Sequence, residues 1–434
     1  MKVLHVITGL GIGGAEVQLR LLLRQLPADC EVVTLTNPGA VAEALRADGV
    51  SVTHLEMRGN RDLAVLPRLT RFIRSGGYDL VHTHLYRAGV YGRVAARLAG
   101  VPSVATEHSL GATQLEGRPL TLGTRALYRT TERLGAGTLA VSGTVERRLR
   151  RWGVPAARVR LVPNGIDPAA FRFSARARAV VRTDLRIPAD AYVVGGMGRQ
   201  VPGKKFDDLM RAVAALPDTY LLLVGDGPER VPLLQLVQQL GVAGRVRMAA
   251  STGTGTDLGG LLAAMDLFVS LCPEETFGLS VVEALAAGLP VRYVSCPALE
   301  DLPAEEAPAA RRIAPYELDP TLIADRAAGA ARQPVPPAVE RYHIARTAEQ
   351  VMALYEEAVR GKRRGPVPAV PGQSTAEGVT AAARTAPASA PAAAPASAPA
   401  QAPAPAPVPA AAHAPAPRAD GTAVPHADQL SAEK

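Results

Sequence analysis

Short apolar runs alternate with helical periods twice along this chain, and that pattern confines it to parallel sheets covered on both faces. In the first half, candidate strands fall at residues 3–8, 31–36, 51–55, 79–83, 102–106, 138–141 and 159–162. Amphipathic runs at 16–26, 62–74 and 87–99 lie between them. Pro163-Asn164-Gly165 makes a turn, and 166–187 reads as an irregular, Arg-rich connection. The second half offers strands at 192–197, 220–224, 245–248, 267–270 and 290–294, with helices near 206–216, 230–240, 258–264 and 279–287. A last helix over 341–360 carries Ile344, Ala348, Val351, Leu354, Tyr355 and Ala358 on one stripe. The fold class is therefore α/β: two Rossmann-like doubly wound domains facing a cleft, with ligands expected at the carboxyl ends of the strands.

Composition narrows the function. Aromatic residues make up 4% of the chain, so stacking platforms for nucleic acid are not expected. The formal charge of +8 is carried mostly by Arg, which suits phosphate-bearing ligands, an anionic membrane surface or neither. Cys30, Cys272 and Cys296 are odd in number and far apart, which argues against a disulfide framework or a zinc site. MKVLHVITGL reads as a first strand rather than a signal peptide. No window reaches the roughly 18 apolar residues of a membrane span. A cytoplasmic protein is expected, with peripheral contact at the inner face of the membrane admitted. Ala/Pro runs after Gly365 cannot build a core, so 366–434 reads as a disordered tail.

The segment CPEETFGLSVVEALAAGLPVRYV, residues 272–294, concentrates the chemistry. Between Thr276 and Val291 the only ionisable residue is Glu283, in a helix apolar enough to be buried, so its carboxylate needs a partner or a ligand. Glu275 sits eight positions earlier, at the mouth of that helix, and Gly278 allows close approach to the backbone. A buried helix with one satisfied Glu and a solvated turn Glu is the plainer reading.

Gly9-Leu10-Gly11-Ile12-Gly13-Gly14 follows the first strand and formally matches the dinucleotide fingerprint. The second strand ends Leu35-Thr36-Asn37-Pro38, without the acid that would hold a ribose. The loop then reads as a phosphate- or sugar-approach loop at a helix N-terminus. Arg199, Lys204 and Lys205, in GRQVPGKK after a strand, suit a diphosphate or are simply a solvated turn. His108 ends a strand toward the cleft. His82 and His84 have no carboxylate at ligand spacing, so no metal is assigned. Ser142 caps a helix bearing Arg147, Arg148, Arg150 and Arg151, a stripe that is either solvated or suited to anionic lipid.

GLGIGGAE, VATEHS, VPNGID, GRQVPGKKFDDL, LLLVGDGPER and EETFGLSVVEALAAGLPV together, in this order, resemble the family-4 glycosyltransferases, a retaining group with the GT-B fold also termed glycosyl transferases group 1. The resemblance implies a domain at 1–168 that binds acceptor and one at 169–340 that binds the donor, with helix 341–362 crossing back to the first. By position, Arg199 and Lys204 would hold the donor's diphosphate and Glu283 its ribose hydroxyls. Glu275 would lie near the donor sugar, with backbone amides of Phe277, Gly278 and Leu279 contacting sugar or phosphate. His108 would bond the sugar from the opposite domain, where Gly13 and Gly14 approach the phosphates. Such enzymes work without metal or cofactor. The chain departs from the pattern at Thr276, where Gly is common, in the segment SCPALEDLP after Val294, and in VRMAASTGTGT at 246–256.

The resemblance predicts a retaining hexosyltransferase that moves a sugar from a UDP- or GDP-linked donor to a glycan or lipid-linked acceptor, in cell-surface polysaccharide or glycoconjugate synthesis. An NAD-dependent oxidoreductase and a non-catalytic nucleotide-sugar-binding protein are the alternatives.

Overall fold

The computed structural model describes residues 1–363 apart from 60, 112–113, 116–117, 251–254 and 330. The tail reading of 366–434 and part of the 246–256 segment lie outside the described residues. The first half runs β1 (Lys2–Ile7), α1 (Gly14–Leu23), β2 (Asp29–Thr34), α2 (Gly39–Ala47), β3 (Ser51–His54), α3 (Val65–Ser75), β4 (Leu80–His84), α4 (Tyr86–Ala99) and β5 (Ser103–Glu107). A two-stranded hairpin, β6 (Gln114–Leu115) and β7 (Arg118–Pro119), precedes α5 (Leu122–Glu132), β8 (Gly137–Ala140), α6 (Gly143–Arg151) and β9 (Val159–Leu161). The seven long-range strands form one parallel sheet in the order β3-β2-β1-β4-β5-β8-β9.

The second half continues with α7 (Ala175–Asp184), β10 (Tyr192–Met197), α8 (Phe206–Ala214), β11 (Thr219–Val224), α9 (Arg230–Gln239), β12 (Val246–Ala249), α10 (Gly255–Ala264) and β13 (Leu267–Ser270). It closes with α11 (Leu279–Ala286), β14 (Val291–Tyr293), α12 (Pro297–Glu300), β15 (Ala310–Arg312), α13 (Leu318–Ala328), α14 (Pro337–Arg341) and α15 (Ile344–Arg363). Its six-stranded parallel sheet has the order β12-β11-β10-β13-β14-β15. In both sheets the order reverses beside the first strand, so each half has a crevice at its strands' carboxyl ends.

Three elements depart from the sequence expectation. The stretch 166–187 contains α7, capped by Ser174, whose Oγ accepts from Ala177 N at 3.2 Å. It has no apolar stripe because its inward side chains are cations. Arg178 and Arg182 reach Asp266 at 2.6 and 2.8 Å, and Arg182 also donates to the carbonyls of Pro188, Ala189, Ala191 and Ala264. Strand β15 reads Ala-Arg-Arg and sits at the sheet edge, where no apolar alternation is needed. The expected last helix from 341 breaks at Tyr342–His343, because Ile166 donates to Tyr342 O at 2.7 Å and accepts from Ile344 N at 2.8 Å in strand fashion. Beyond that break, α15 packs on the first half, where Val351, Leu354 and Tyr355 join the core formed by Leu19, Leu22 and Leu139.

Arg245 and Arg332 repeat the device of Arg182. Arg245 donates to the carbonyls of Val213, Ala214, Leu216 and Thr219, and Arg332 to those of Leu262, Ala263, Met265 and Ala287. Asp266 is the anionic hub, since it also accepts from Val193 N at 2.8 Å. Asp266→Ala leaves two guanidinium groups without their counter-charge and should cost about 3–5 kcal/mol, measurable by urea unfolding.

Candidate active site

The second sheet delivers two glycine-lined loops to one place. A Cβ on Gly225 (φ 130°) would lie 2.1 Å from Gly198 O, and one on Gly227 would lie 2.3 Å from Gln200 O, so the loops after β10 and β11 approach as only bare backbone can. Gln200 reinforces them by donating to Asp226 O at 2.8 Å and Gly225 O at 2.9 Å. Arg199 stands exposed at the tip, and its guanidinium makes no hydrogen bond or ion pair to another described residue.

Lys204 turns inward from the same loop and forms an ion pair with Glu275. Burial works against the Lys204 charge, but the neighbouring Glu275 outweighs it and the pKa is raised. The next residue, Lys205, has φ 55°, and Leu85, at the turn between β4 and α4 in the first sheet, has φ 74°. Left-handed backbone at non-glycine residues is costly and gathers at functional turns.

Glu275 leads into α11 through Thr276, Phe277 and Gly278. Gly278 is the N-cap at φ 101°, and a Cβ there would lie 2.4 Å from Cys296 Sγ, so no other residue fits. Phe277 packs its ring against Tyr342 at 5.1 Å and accepts from Ala298 N at 2.9 Å, which fixes its side chain in the core. The amides of Leu279 and Ser280, the first two of α11, precede the first intrahelical bonds, which run from Val281 N and Val282 N to Gly278 O at 3.1 and 3.2 Å, and they lie at the helix mouth. Glu283 lies inside α11, 8% exposed, and its carboxylate forms no hydrogen bond or ion pair with another described residue. Burial raises its pKa to about 7.

The first half meets this loop directly. Thr276 Oγ1 donates to His108 O at 2.7 Å, and Ser142 Oγ donates to Thr276 O at 2.6 Å while capping α6 by accepting from Val145 N at 3.2 Å. A Cβ on Gly14 would lie 3.5 Å from Leu279 Cδ1, so the loop through Gly13 and Gly14 faces the start of α11. Arg147 pairs with Asp301 at 3.3 Å, Arg148 donates to Leu110 O at 2.7 Å and Arg150 pairs with Glu146 at 3.9 Å, so three of the four arginines of the α6 stripe are engaged within the protein. Where a dinucleotide's ribose acid would stand, Asn37 O instead accepts from Leu10 N at 2.8 Å.

The histidines form a group that sequence spacing did not reveal. His5, His82 and His84 cluster on one face of the first sheet, fully enclosed. His82 is held at both nitrogens, by Tyr355 Oη at 2.5 Å and Thr106 Oγ1 at 2.7 Å, and His84 by His5 and His108 at 3.1 and 3.2 Å. A cation would have to displace these bonds.

Lys204 and Glu275 are thus brought into contact, His108 and Gly14 reach the adjoining loop from the other half, and Arg199 and Glu283 stand apart from that pair. Two glycine loops, a half-buried cation–carboxylate pair and a helix N-terminus at the mouth of a two-sheet cleft suit an anionic, hydroxyl-rich ligand.

Comparison with known proteins agrees. The profile described as Glycosyltransferase Family 4 matches residues 12–170, and that of Glycosyl transferases group 1 matches 178–304. The chain is 31% identical over 306 residues to a D-inositol 3-phosphate glycosyltransferase of Salinispora arenicola, spanning 64% of this chain and 67% of that one. A protein of the same name from Streptomyces scabiei is 30% identical over 322 residues, 65% of this chain and 71% of the relative. A lipopolysaccharide core biosynthesis glycosyltransferase, LpsD of Rhizobium meliloti, is 48% identical over 122 residues, 28% of this chain and 35% of its own. Among solved structures, Anabaena Alr3699/HepE in complex with UDP and glucose superposes with a TM-score of 0.71 at 22% identity, covering 82% of this chain and all of that one. Sucrose-phosphate synthase from Thermosynechococcus elongatus follows at 0.66 and 22%, covering 83% of this chain and all of that one. These structures share the GT-B fold. The chain belongs to the group 1, family 4 glycosyltransferases.

Two outcomes follow from the site's geometry. The Glu283 pKa of about 7 lies above the ordinary 4.5, so its stabilising contribution is complete below pH 4.5 and is lost as pH rises through 7. Relative to Glu283→Gln, the ligand-free wild type should gain up to about 3 kcal/mol on acidification from pH 8 to 4.5, read by denaturant titration. Thr276→Val keeps the side chain's shape but removes its bond to His108. Losing about 1 kcal/mol should raise the open fraction about fivefold, seen as faster amide exchange over 272–278.

Proposed function

We propose that the protein moves a hexose from a nucleotide-diphosphate donor, UDP- or GDP-linked, onto a glycan or lipid-linked acceptor, retaining the anomeric configuration. The Lys204–Glu275 pair at the mouth of α11 carries this reading. It places a cation where a departing diphosphate needs one and a carboxylate beside the sugar. Arg199, free at its loop tip, closes on the diphosphate with two parallel donors, and Gly13 and Gly14 approach it from the other half. Glu283 accepts from the ribose hydroxyls, which supply the partners its enclosed carboxylate lacks. Backbone amides of Phe277, Gly278 and Leu279 meet sugar or phosphate, and His108 bonds the sugar from the first half.

In the transfer, the bond from the anomeric carbon to the diphosphate oxygen breaks and one to the acceptor oxygen forms on the same face. The acceptor's hydroxyl proton passes to the departing phosphate oxygen. The cations and the α11 N-terminus take up the developing charge without a metal. The lipopolysaccharide-core relative supports a cell-envelope acceptor, and no helix among the described residues is long and apolar enough to cross a membrane. We place the enzyme in the cytoplasm, where activated sugars are made, meeting its acceptor at the membrane's inner face. The first half, residues 1–168, takes acceptor, and 169–340 takes donor.

A panel of radiolabelled nucleotide sugars, offered with membrane glycolipid extracts, tests the assignment, and proton NMR of the product gives the anomer. Lys204→Ala should lower kcat about 10²–10³-fold while leaving the unfolding midpoint near wild type. Undiminished turnover in both Lys204→Ala and Glu275→Ala would remove these two residues from the site. Nucleoside diphosphate binding near pH 7 should release protons as Glu283 ionises, seen as buffer-dependent calorimetric heats that vanish in Glu283→Gln.

A further inference from the structure

His5, His84 and His108 form a single file of imidazoles. β1, β4 and β5 are neighbours in the sheet, and with a side-chain period of two these positions share one face. His5 Nδ1 is 3.1 Å from His84 Nε2, and His84 Nδ1 is 3.2 Å from His108 Nε2. The two remaining nitrogens, His5 Nε2 and His108 Nδ1, are both buried without a partner.

Burial holds His5 down to about 3, His108 to about 4 and His84 well below the ordinary value, so all three are neutral. A neutral imidazole has one N–H and one lone pair, so both bonds in the file must point the same way. Either His5 Nε2 carries the unpaired N–H and His108 Nδ1 is bare, or the reverse. An enclosed N–H without an acceptor is the rarer and costlier defect. His5 is completely enclosed, whereas His108 borders a cavity of about 20 Å³ whose wall includes Gln18 and Asn164, and its carbonyl touches Thr276 of the other half. The N–H therefore belongs at the His108 end.

We propose that His5 and His84 are positioning residues that set His108 in the Nδ1–H form, so that it meets an incoming oxygen as a hydrogen-bond donor. His5 Nδ1–H donates to His84 Nε2, and His84 Nδ1–H donates to His108 Nε2. The class of ligand atom selected is an acceptor oxygen, such as a sugar hydroxyl. That last step rests on the proposed transferase site; the tautomer itself does not.

The test is ¹⁵N-histidine NMR of the ligand-free full chain at pH 7.5, with assignments from single-histidine variants. All three residues should show a protonated Nδ1 and a bare Nε2, although a neutral histidine side chain free in water favours the opposite form. His84→Leu removes the bond donated to His108 Nε2 and should lower the Nδ1–H to Nε2–H ratio at His108 about fivefold. His84→Asn, whose amide nitrogen stands at the Nδ1 position and can still donate, should restore it. A proton on His108 Nε2 in the wild type overturns the proposal, and so does a ratio unchanged in His84→Leu. If His84→Leu does not fold, the wild-type and His84→Asn spectra decide alone. Because the tautomer is read without substrate, an error in the transferase assignment leaves this result standing. Loss of transfer in His84→Leu with recovery in His84→Asn ties the tautomer to turnover.

Discussion

Parallel strands buried on both faces leave little room for polar chemistry except at their ends. In each sheet here, the helices cover the faces with Val, Leu and Ala, and charge collects where strands give way to helices. The loops after β1, β10, β11 and β13 are the result, and their glycines let them lie against one another. The Lys204–Glu275 pair exists because two such loops converge on one point.

Much of this architecture was legible in the sequence, and what was hidden has a physical explanation. The twofold alternation revealed both sheets, since β1 and β11 are rich in Val, Leu and Ile, and β4, β5 and β10 are short runs at the expected spacing between helical periods. Glu283 stood out because one carboxylate among so many aliphatic residues has no plain reason to be there. Helix α7 escaped because its buried face is made of Arg178 and Arg182, which pattern rules score as solvent-facing. The imidazole file escaped for another reason. His5, His84 and His108 lie on three strands, and only the strand order and register make them neighbours.

The sequence departures also take on a structural sense. At Thr276, one of the departures noted from the resemblance, the hydroxyl and carbonyl tie the two halves together through His108 and Ser142. The position is a joint between lobes. Cys296, in a segment unlike the family pattern, fills the space that Gly278 leaves open. Residues 278 and 296 are therefore constrained as a pair: a larger residue at either would press on the start of α11.

Arg182, Arg245 and Arg332 act as internal fasteners, each collecting several backbone carbonyls near the ends of helices or strands. A guanidinium can do this because its donors fan out in a plane; an ammonium has no such reach. The formal charge of +8 consequently overstates how strongly the surface draws anions, because part of it faces peptide oxygens inside the fold. Dicarbonyl reagents that attack arginine would accordingly reach the exposed Arg199 well before these carbonyl-bonded guanidinium groups, whose modification would report on loosening of the scaffold.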